Sequence, residues 1–201
     1  MESTLMIGPL RRLLQRLRPY DGPLPPRPES SLPCSWVLTG QLAIGPMPRT
    51  ERHWQQLQEA GIRSRFSCCY PEEESALIVP PGWRSDRISL PDHRQQEPMR
   101  QERLALALAR AEELVNQAAP IYLHCMAGYE RSPLLAVGLT ARLRGIDPLA
   151  ALAWVRRCHP MAMPIYDHLV MLETLLTARP SHGDTWQTGP VEPLLGGGKD
   201  P

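Results

Sequence analysis

The chain has 201 residues, 42% of them hydrophobic and 21% charged, a size that fits one domain with a substantial core. Its formal net charge of +1 provides no strong field to attract nucleic acid or an anionic membrane, so no nucleic-acid partner is expected. Five cysteines, odd in number and without zinc-ligand spacing, indicate a reduced cytoplasmic chain with no structural metal.

The two ends are predicted to lie outside the folded domain. Residues 1–33 form an arm in which a basic amphipathic stretch precedes a proline-rich linker, and residues 179–201 are predicted to be a disordered tail. The basic stretch could contact a membrane peripherally, bind a partner, act as a transit peptide or lie on its own domain. No run is apolar and long enough to be a transmembrane segment. One domain is therefore expected over residues 34–178.

Strands and helices alternate along this domain. A hairpin is predicted over 35–44 with its turn at Gly40, and further strands over 62–69, 84–90 and 121–123. A first helix is expected between the cap residues Thr50 and Gly61. Further helices are predicted from helical spacing of apolar residues over 98–117, 131–143, 148–157 and 165–177. This order predicts an α/β fold with a mostly parallel sheet of about five strands flanked by helices, and ligands at the carboxyl ends of the strands.

One short segment, HCMAGYERS from His124 to Ser132, lies between the last predicted strand and the next helix. A cysteine followed six residues later by an arginine is weak evidence alone, because chance produces such a pair roughly half the time in this composition. Requiring the histidine before, the glycine three residues after and the serine past the arginine lowers that rate to roughly one in ten thousand. The whole pattern therefore indicates a specific site.

We call residues 125–131 the phosphate loop, because their spacing suits an anion. Successive backbone N–H groups at a helix N-terminus can converge on one phosphate, and the helix dipole adds to the field. Gly128 supplies a conformation that other residues resist, and Arg131 can place two parallel donors on phosphate oxygens. This environment favours the thiolate of Cys125, the predicted nucleophile. The remaining predicted phosphate-binding residues are Met126, Ala127, Tyr129 and Glu130.

Supporting roles are predicted for neighbouring side chains. His124 is expected to orient the loop, and the Ser132 hydroxyl to stabilise sulfur as it leaves phosphorus. A leaving oxygen needs a proton, and Asp92 lies in a polar loop after a strand whose carboxyl end faces the same edge of the sheet. Glu97 is a weaker candidate, and a solvated turn residue is the alternative interpretation of Asp92.

These residues resemble the dual-specificity branch of the protein tyrosine phosphatase superfamily, whose signature is H-C-x-x-G-x-x-R-[ST]. The resemblance covers about residues 36–175, with VLTGQLAIGPMP as the opening hairpin and ISLPD as the acid-bearing loop. It implies a catalytic domain over 34–178, a cysteinyl-phosphate intermediate, and Asp92 as the acid that later activates water. It implies no metal and no cofactor. The expected enzyme is a monomer that acts on phosphotyrosine, phosphoserine and phosphothreonine in proteins.

Several alternatives stay open at the level of sequence. Glu130 departs from the usual small residue, and its carboxylate must point away from the phosphate or repel substrate. Lipid-directed members of the family usually carry lysines where Met126 and Tyr129 stand here, which disfavours a phosphoinositide substrate without excluding it. An RNA-end phosphatase, a phosphate-binding pseudophosphatase and a sulfurtransferase are the other candidates.

The remaining cysteines offer a redox hypothesis. Cys68 and Cys69 end a strand that is expected to lie beside the strand at 121–123, so either could form a reversible disulfide with Cys125. The alternative is that both are inert buried thiols. Cys34 and Cys158 are expected to be structural, and His159 to be a surface or packing residue.

Overall fold

The computed structural model describes residues 31–74, 79–95 and 97–177. The predicted tail at 179–201 and all but the last three residues of the predicted arm at 1–33 lie outside these ranges. The limits of the domain therefore stay a prediction. Among the helices in the described ranges, none has both the length and the apolar character needed to cross a bilayer.

A single sheet of five strands forms the centre of the molecule, in the order β1-β2-β5-β3-β4. The strands β2, β5, β3 and β4 run parallel, and β1 pairs antiparallel with β2 across the turn at Gly40. The predicted mostly parallel α/β sheet is thus confirmed. The strands are β1 Ser35–Leu38, β2 Leu42–Pro46, β3 Ser64–Ser67, β4 Arg84–Arg87 and β5 Ile121–Cys125.

Helices cover both faces of the sheet, and their ends carry the predicted caps. The Thr50 side chain accepts a hydrogen bond from the His53 N–H, and Asp147 accepts from Leu149 and Ala150. Gly145 ends a helix in the left-handed region, with φ of 61°. The helices are α1 Glu51–Glu59, α2 Gln101–Ala118, α3 Arg131–Arg144, α4 Pro148–Cys158 and α5 Tyr166–Thr177, with a 3-10 turn at Pro71–Glu73.

The buried side chains form two layers because alternate residues of a strand face opposite sides. Ile121 and Leu123 of β5 belong to the larger core under α2 to α5, whereas Tyr122 belongs to a smaller cluster under α1. Helix α3 is buried from Arg131 to Ala141, since it packs on the sheet and also against α2, α4 and α5. The phosphate loop therefore joins the most buried strand to the most buried helix.

Two strands end earlier than the sequence patterns predict. The predictions were 62–69 and 84–90, but β3 ends at Ser67 and β4 at Arg87. The chain beyond each strand turns its carbonyls toward the site, where Arg131 Nη1 lies 3.4 Å from Cys68 O and 3.2 Å from Leu90 O. The ends of these two segments thus contribute acceptors for Arg131 in addition to their ladder hydrogen bonds.

Candidate active site

The phosphate loop presents its backbone N–H groups without protein acceptors. Within the described parts of the chain, none of the N–H groups of residues 126–130 donates to another residue. Several carbonyls of the same loop are occupied instead: Met126 O accepts from Met47 N at 3.3 Å, and Tyr129 O accepts from Met163 N at 2.7 Å. Because the loop's carbonyls bind outward and its N–H groups stay unpaired, the loop is suited to surround an anion.

Gly128 is required at its position for two reasons. Its φ of 78° is in the left-handed region, and a Cβ there would lie 2.7 Å from the Gly45 carbonyl carbon and 2.8 Å from Pro46 N. The carbonyl oxygen of Gly128 is fixed by the buried His159, whose Nε2 lies 3.0 Å away. His159 was predicted to be a surface or packing residue; it is buried, and the prediction missed this contact because 31 residues separate the two in sequence.

The predicted nucleophile lies at the base of this loop. Cys125 is 2% exposed at the end of β5, and the Ser132 hydroxyl lies 3.4 Å from its sulfur. A hydroxyl at that distance can donate to a sulfur that carries negative charge. The structure therefore brings the predicted nucleophile and its predicted supporting hydroxyl together.

The predicted orienting residue, His124, is held in a neutral form. Burial, together with the charge of Arg65, lowers the pKa of His124 to about 3. Its Nε2 lies 3.2 Å from Arg65 Nη1, and because a guanidinium has no acceptor, Nε2 accepts and the proton is on Nδ1. Arg65 is itself paired with Glu74 at 3.2 Å. Sequence reasoning missed both partners, which come from other segments.

Four charged side chains form a closed ring beside the phosphate loop, which we call the charge ring: Glu73, Asp92, Arg94 and Arg131. Arg131 Nη1 lies 2.6 Å from Glu73 Oε2, and its Nη2 lies 2.8 Å from Asp92 Oδ2. Arg94 Nη2 bridges the same two carboxylates, at 2.8 Å from Glu73 and 2.6 Å from Asp92. Among the described residues, Arg131 Nε has no hydrogen-bond partner, so one donor of this buried guanidinium is left for an anion.

The ring determines the charge state of the predicted acid. Burial alone would raise the pKa of Asp92, but hydrogen bonds from Arg94 and the charge of Arg131 outweigh it and hold the pKa below its usual value. A phosphate bound to Arg131 would compete for this cation and place negative charge beside Asp92, and both effects raise the pKa. The geometry thus links protonation of Asp92 to the arrival of an anion.

The residues around Asp92, which we call the acid loop (91–95), adopt neither helix nor strand. The Asp92 N–H donates to Gln95 Oε1 at 2.8 Å, and Oδ1 of Asp92 accepts from the Arg94 N–H at 2.9 Å. Glu97, the weaker candidate acid, is instead bound by Tyr70 and Arg103 at 2.8 and 2.9 Å. The structure therefore places Asp92, and not Glu97, against Arg131.

Glu130 directs its carboxylate out of the phosphate loop toward the acid loop. Its Oε1 lies 2.5 Å from His93 Nδ1, and its Oε2 accepts from the His93 N–H at 3.2 Å. The expectation that this carboxylate points away from the bound anion agrees with this orientation. Asp92, His93 and Glu130 also bring one ligand atom each within 4.8 Å of one another, the only such group of three among the described residues. Asp92 already binds two arginines there, an environment that disfavours a cation.

Cys68 and Cys69 are buried near the site, and both are free thiols. Burial, with a smaller contribution from the neighbouring Cys125, raises the pKa of Cys68, and burial raises the pKa of Cys69 to about 12. Thiols that stay protonated resolve an oxidised cysteine slowly, which favours the interpretation of two inert residues. The disulfide with Cys125 stays a prediction, and peptide mapping after mild peroxide treatment would test it.

A cavity of about 490 Å³ lies on the side of the phosphate loop formed by Met126, Ala127 and Tyr129. Its other walls come from the end of β2, from α1 and from the segment after α4, including Met47, Arg49 and Met161. Among the described residues that line it, Arg49 is the single arginine and there is no carboxylate. The space is therefore mainly apolar, with one cation at its wall.

Comparison with known proteins agrees with this geometry. Tk-PTP in its active form has 24% identity and a TM-score of 0.58, over 71% of this chain and 95% of that one. Human DUSP28 has 23% identity and a TM-score of 0.57, over 78% and 99%. The chain has the protein tyrosine phosphatase fold. Another neighbour with this fold, PTPMT1 in complex with PI(5)P, has 15% identity and a TM-score of 0.58, over 68% and 90%. No protein family model matches the chain.

Proposed function

We propose that the chain is a cysteine-dependent phosphatase that hydrolyses phosphate monoesters, with phosphotyrosine, phosphoserine and phosphothreonine in proteins as its substrates. The observation that carries the proposal is the set of unpaired donors above Cys125: the N–H groups of residues 126–130 and Nε of Arg131. Several donors that stay unpaired in one loop, beside the buried Cys125 and Arg131, suit an anionic ligand. The phosphatase fold of the structural neighbours supports the same conclusion.

The first step transfers the phosphoryl group to sulfur. The Cys125 thiolate attacks phosphorus in line with the leaving oxygen, so that an S–P bond forms as the P–O bond breaks. The phosphate binds Arg131 and replaces its ion pair with Asp92, so the pKa of Asp92 rises and Asp92 gains a proton. This proton then passes to the leaving oxygen. The loop N–H groups and Arg131 stabilise the charge on the equatorial oxygens.

The second step releases phosphate. Water attacks the phosphorus of cysteinyl-phosphate, and the ionised Asp92 accepts the proton from that water. The S–P bond breaks, and the Ser132 hydroxyl, 3.4 Å from the sulfur, donates to the thiolate as it forms. Cys125 is thereby regenerated without a metal or cofactor in either step.

The cavity beside Met126 and Tyr129 supports protein substrates. An apolar wall with methionines can accommodate the varied side chains that flank a phosphorylated residue. A phosphoinositide head group carries several phosphates and favours clustered cations, whereas this cavity has Arg49 as its single arginine among the described lining residues. A phosphoinositide is the second candidate, because PTPMT1 shares the fold and forms a complex with PI(5)P.

Hydrolysis of p-nitrophenyl phosphate in the presence of a chelator tests the proposal. We expect turnover by the full chain, its loss in Cys125→Ser, and retention in Cys34→Ser, a cysteine outside the phosphate loop. Phosphate release from phosphotyrosine and phosphothreonine peptides is then compared with release from a short-chain PI(5)P. Faster release from the lipid would show that phosphoinositides, and not proteins, are the substrate class. Activity that survives Cys125→Ser would contradict the mechanism.

A further inference from the structure

The acid loop has few fixed attachments to the site that it serves. It contains neither helix nor strand. The hydrogen bonds that join Asp92 to Gln95 and to the Arg94 N–H are internal to the loop. Arg94 extends to Glu73, and Asp92 reaches Arg131 through the charge ring. In the proposed mechanism the phosphate takes Arg131 from Asp92, so this attachment weakens when the acid has to act.

Glu130 provides an attachment that does not depend on Arg131. Its carboxylate receives both the backbone N–H and the ring Nδ1 of His93, the residue that follows Asp92. The Glu130 side chain is 21% exposed and the His93 side chain 66%, so the contact lies at the surface, beside the charge ring. On the nearby helix α5, burial lowers the pKa of His168, and the charges of Asp167 and Glu130 partly offset that effect.

We propose that Glu130 is a positioning residue that holds the acid loop against the phosphate loop through His93. The inference rests on the proposed phosphatase function and deepens it, because it assigns a role to the carboxylate within the anion-binding loop. Glu130 does not touch the substrate. It keeps Asp92 within reach of the leaving oxygen after the phosphate has taken Arg131.

The role predicts a dependence on the leaving group. p-Nitrophenol leaves readily as an anion, whereas phenol needs a proton from the acid. In Glu130→Ala we expect kcat/KM for phenyl phosphate to fall roughly tenfold, part of the roughly 100- to 10,000-fold that a general acid contributes. For p-nitrophenyl phosphate we expect kcat/KM to change by less than about twofold, because kcat/KM reports the transfer to sulfur and p-nitrophenolate needs the proton less than phenolate does.

Three further variants separate the contacts. His93→Ala keeps the backbone hydrogen bond to Glu130 and should have a smaller effect than Glu130→Ala. Glu130→Gln keeps an acceptor but loses the charge, and should also be intermediate. Glu59→Gln removes an exposed carboxylate at the end of α1 and should match the wild type on both substrates.

Hydrogen exchange provides a readout that does not require turnover. In Glu130→Ala the amides of residues 92–95 should exchange faster than in the wild type, and they should be unchanged in Glu59→Gln. Unchanged exchange in Glu130→Ala, or an equal loss of kcat/KM on both substrates, would overturn the positioning role. A wild type without turnover would instead refute the proposed function. The exchange result would still show whether the contact between Glu130 and His93 holds the acid loop in place.

Discussion

The phosphate loop and the acid loop meet at one site but are held in different ways. The phosphate loop continues directly from β5 into α3, and backbone donors from other segments bind its carbonyls. The acid loop is held mainly by charged side chains, with Asp92 and Arg94 in the charge ring and His93 on Glu130. Backbone therefore fixes the proposed anion-binding half, whereas charges fix the proposed proton-donating half, and the two halves should respond differently to substitution.

The largest effect is expected in the anion-binding half. Arg131→Lys keeps the positive charge but loses the planar pair of donors that fits phosphate, and kcat/KM for p-nitrophenyl phosphate should fall roughly 100- to 1,000-fold. The matched control is Arg144→Lys, an exposed arginine at the end of the same helix, which should match the wild type. A normal rate in Arg131→Lys would show that the backbone N–H groups of the loop stabilise the phosphate without the paired donors of Arg131.

A smaller and more selective effect is expected in the proton-donating half. Asp92→Asn keeps the shape of the side chain but cannot donate the proton, so kcat for phenyl phosphate should fall roughly 100-fold. Glu97→Gln is the natural control, because Glu97 is the other candidate acid and lies on Tyr70 and Arg103. A larger loss in Glu97→Gln than in Asp92→Asn would reverse this assignment.

The buried His124, which precedes the phosphate loop, should make the free energy of unfolding depend on pH. The folded chain holds His124 with a pKa of about 3 against an ordinary 6.5, so between these values the unfolded chain binds a proton that the folded chain does not. His124 therefore does not lower the free energy of unfolding above pH 6.5. Below pH 6.5 the free energy of unfolding falls as the pH falls, by about 1.4 kcal/mol per pH unit at the steepest. Urea unfolding from pH 7 to pH 5 should give a shallower slope for His124→Gln, and equal slopes would contradict the neutral histidine.

The smallest expected effect is a shift in a pH profile. In Arg94→Gln the hydrogen bonds that lower the pKa of Asp92 are lost, so the pKa rises and Asp92 stays protonated to higher pH. The alkaline limb of kcat/KM for phenyl phosphate should therefore move to higher pH. Arg103→Gln, which removes a cation from Glu97 instead, should leave that limb in place. A shift in the opposite direction would exclude Asp92 as the titrating acid.

The sequence allowed the phosphate loop and most of the fold to be predicted, because both depend on local signals. Residues close together in the chain define the loop from His124 to Ser132, and caps such as Thr50 define helix ends. The early ends of β3 and β4 could not be predicted, because the turn of their carbonyls toward Arg131 depends on a residue far away in sequence.

The ion-pair partners of Arg131 and Glu130 could not be predicted either, because they lie far away along the chain. Glu73 is 58 residues from Arg131, and Glu130 is 37 residues from His93. The acidic run at 72–74 is visible in the sequence, but nothing local shows that Glu73 binds Arg131 while Glu74 binds Arg65. Such pairings follow from strand order, which brings the segments after β3, β4 and β5 to one edge of the sheet.

Direct detection of the phosphoenzyme tests the central claim, that Cys125 accepts the phosphoryl group. Ser132→Ala should slow the release of sulfur from phosphorus, so the intermediate should accumulate during turnover of p-nitrophenyl phosphate. After rapid quenching, mass spectrometry should find one phosphoryl group on the peptide that contains Cys125, and none on the same peptide of Cys125→Ser. A phosphoryl group on any other residue, or continued turnover with none on Cys125, would contradict the mechanism.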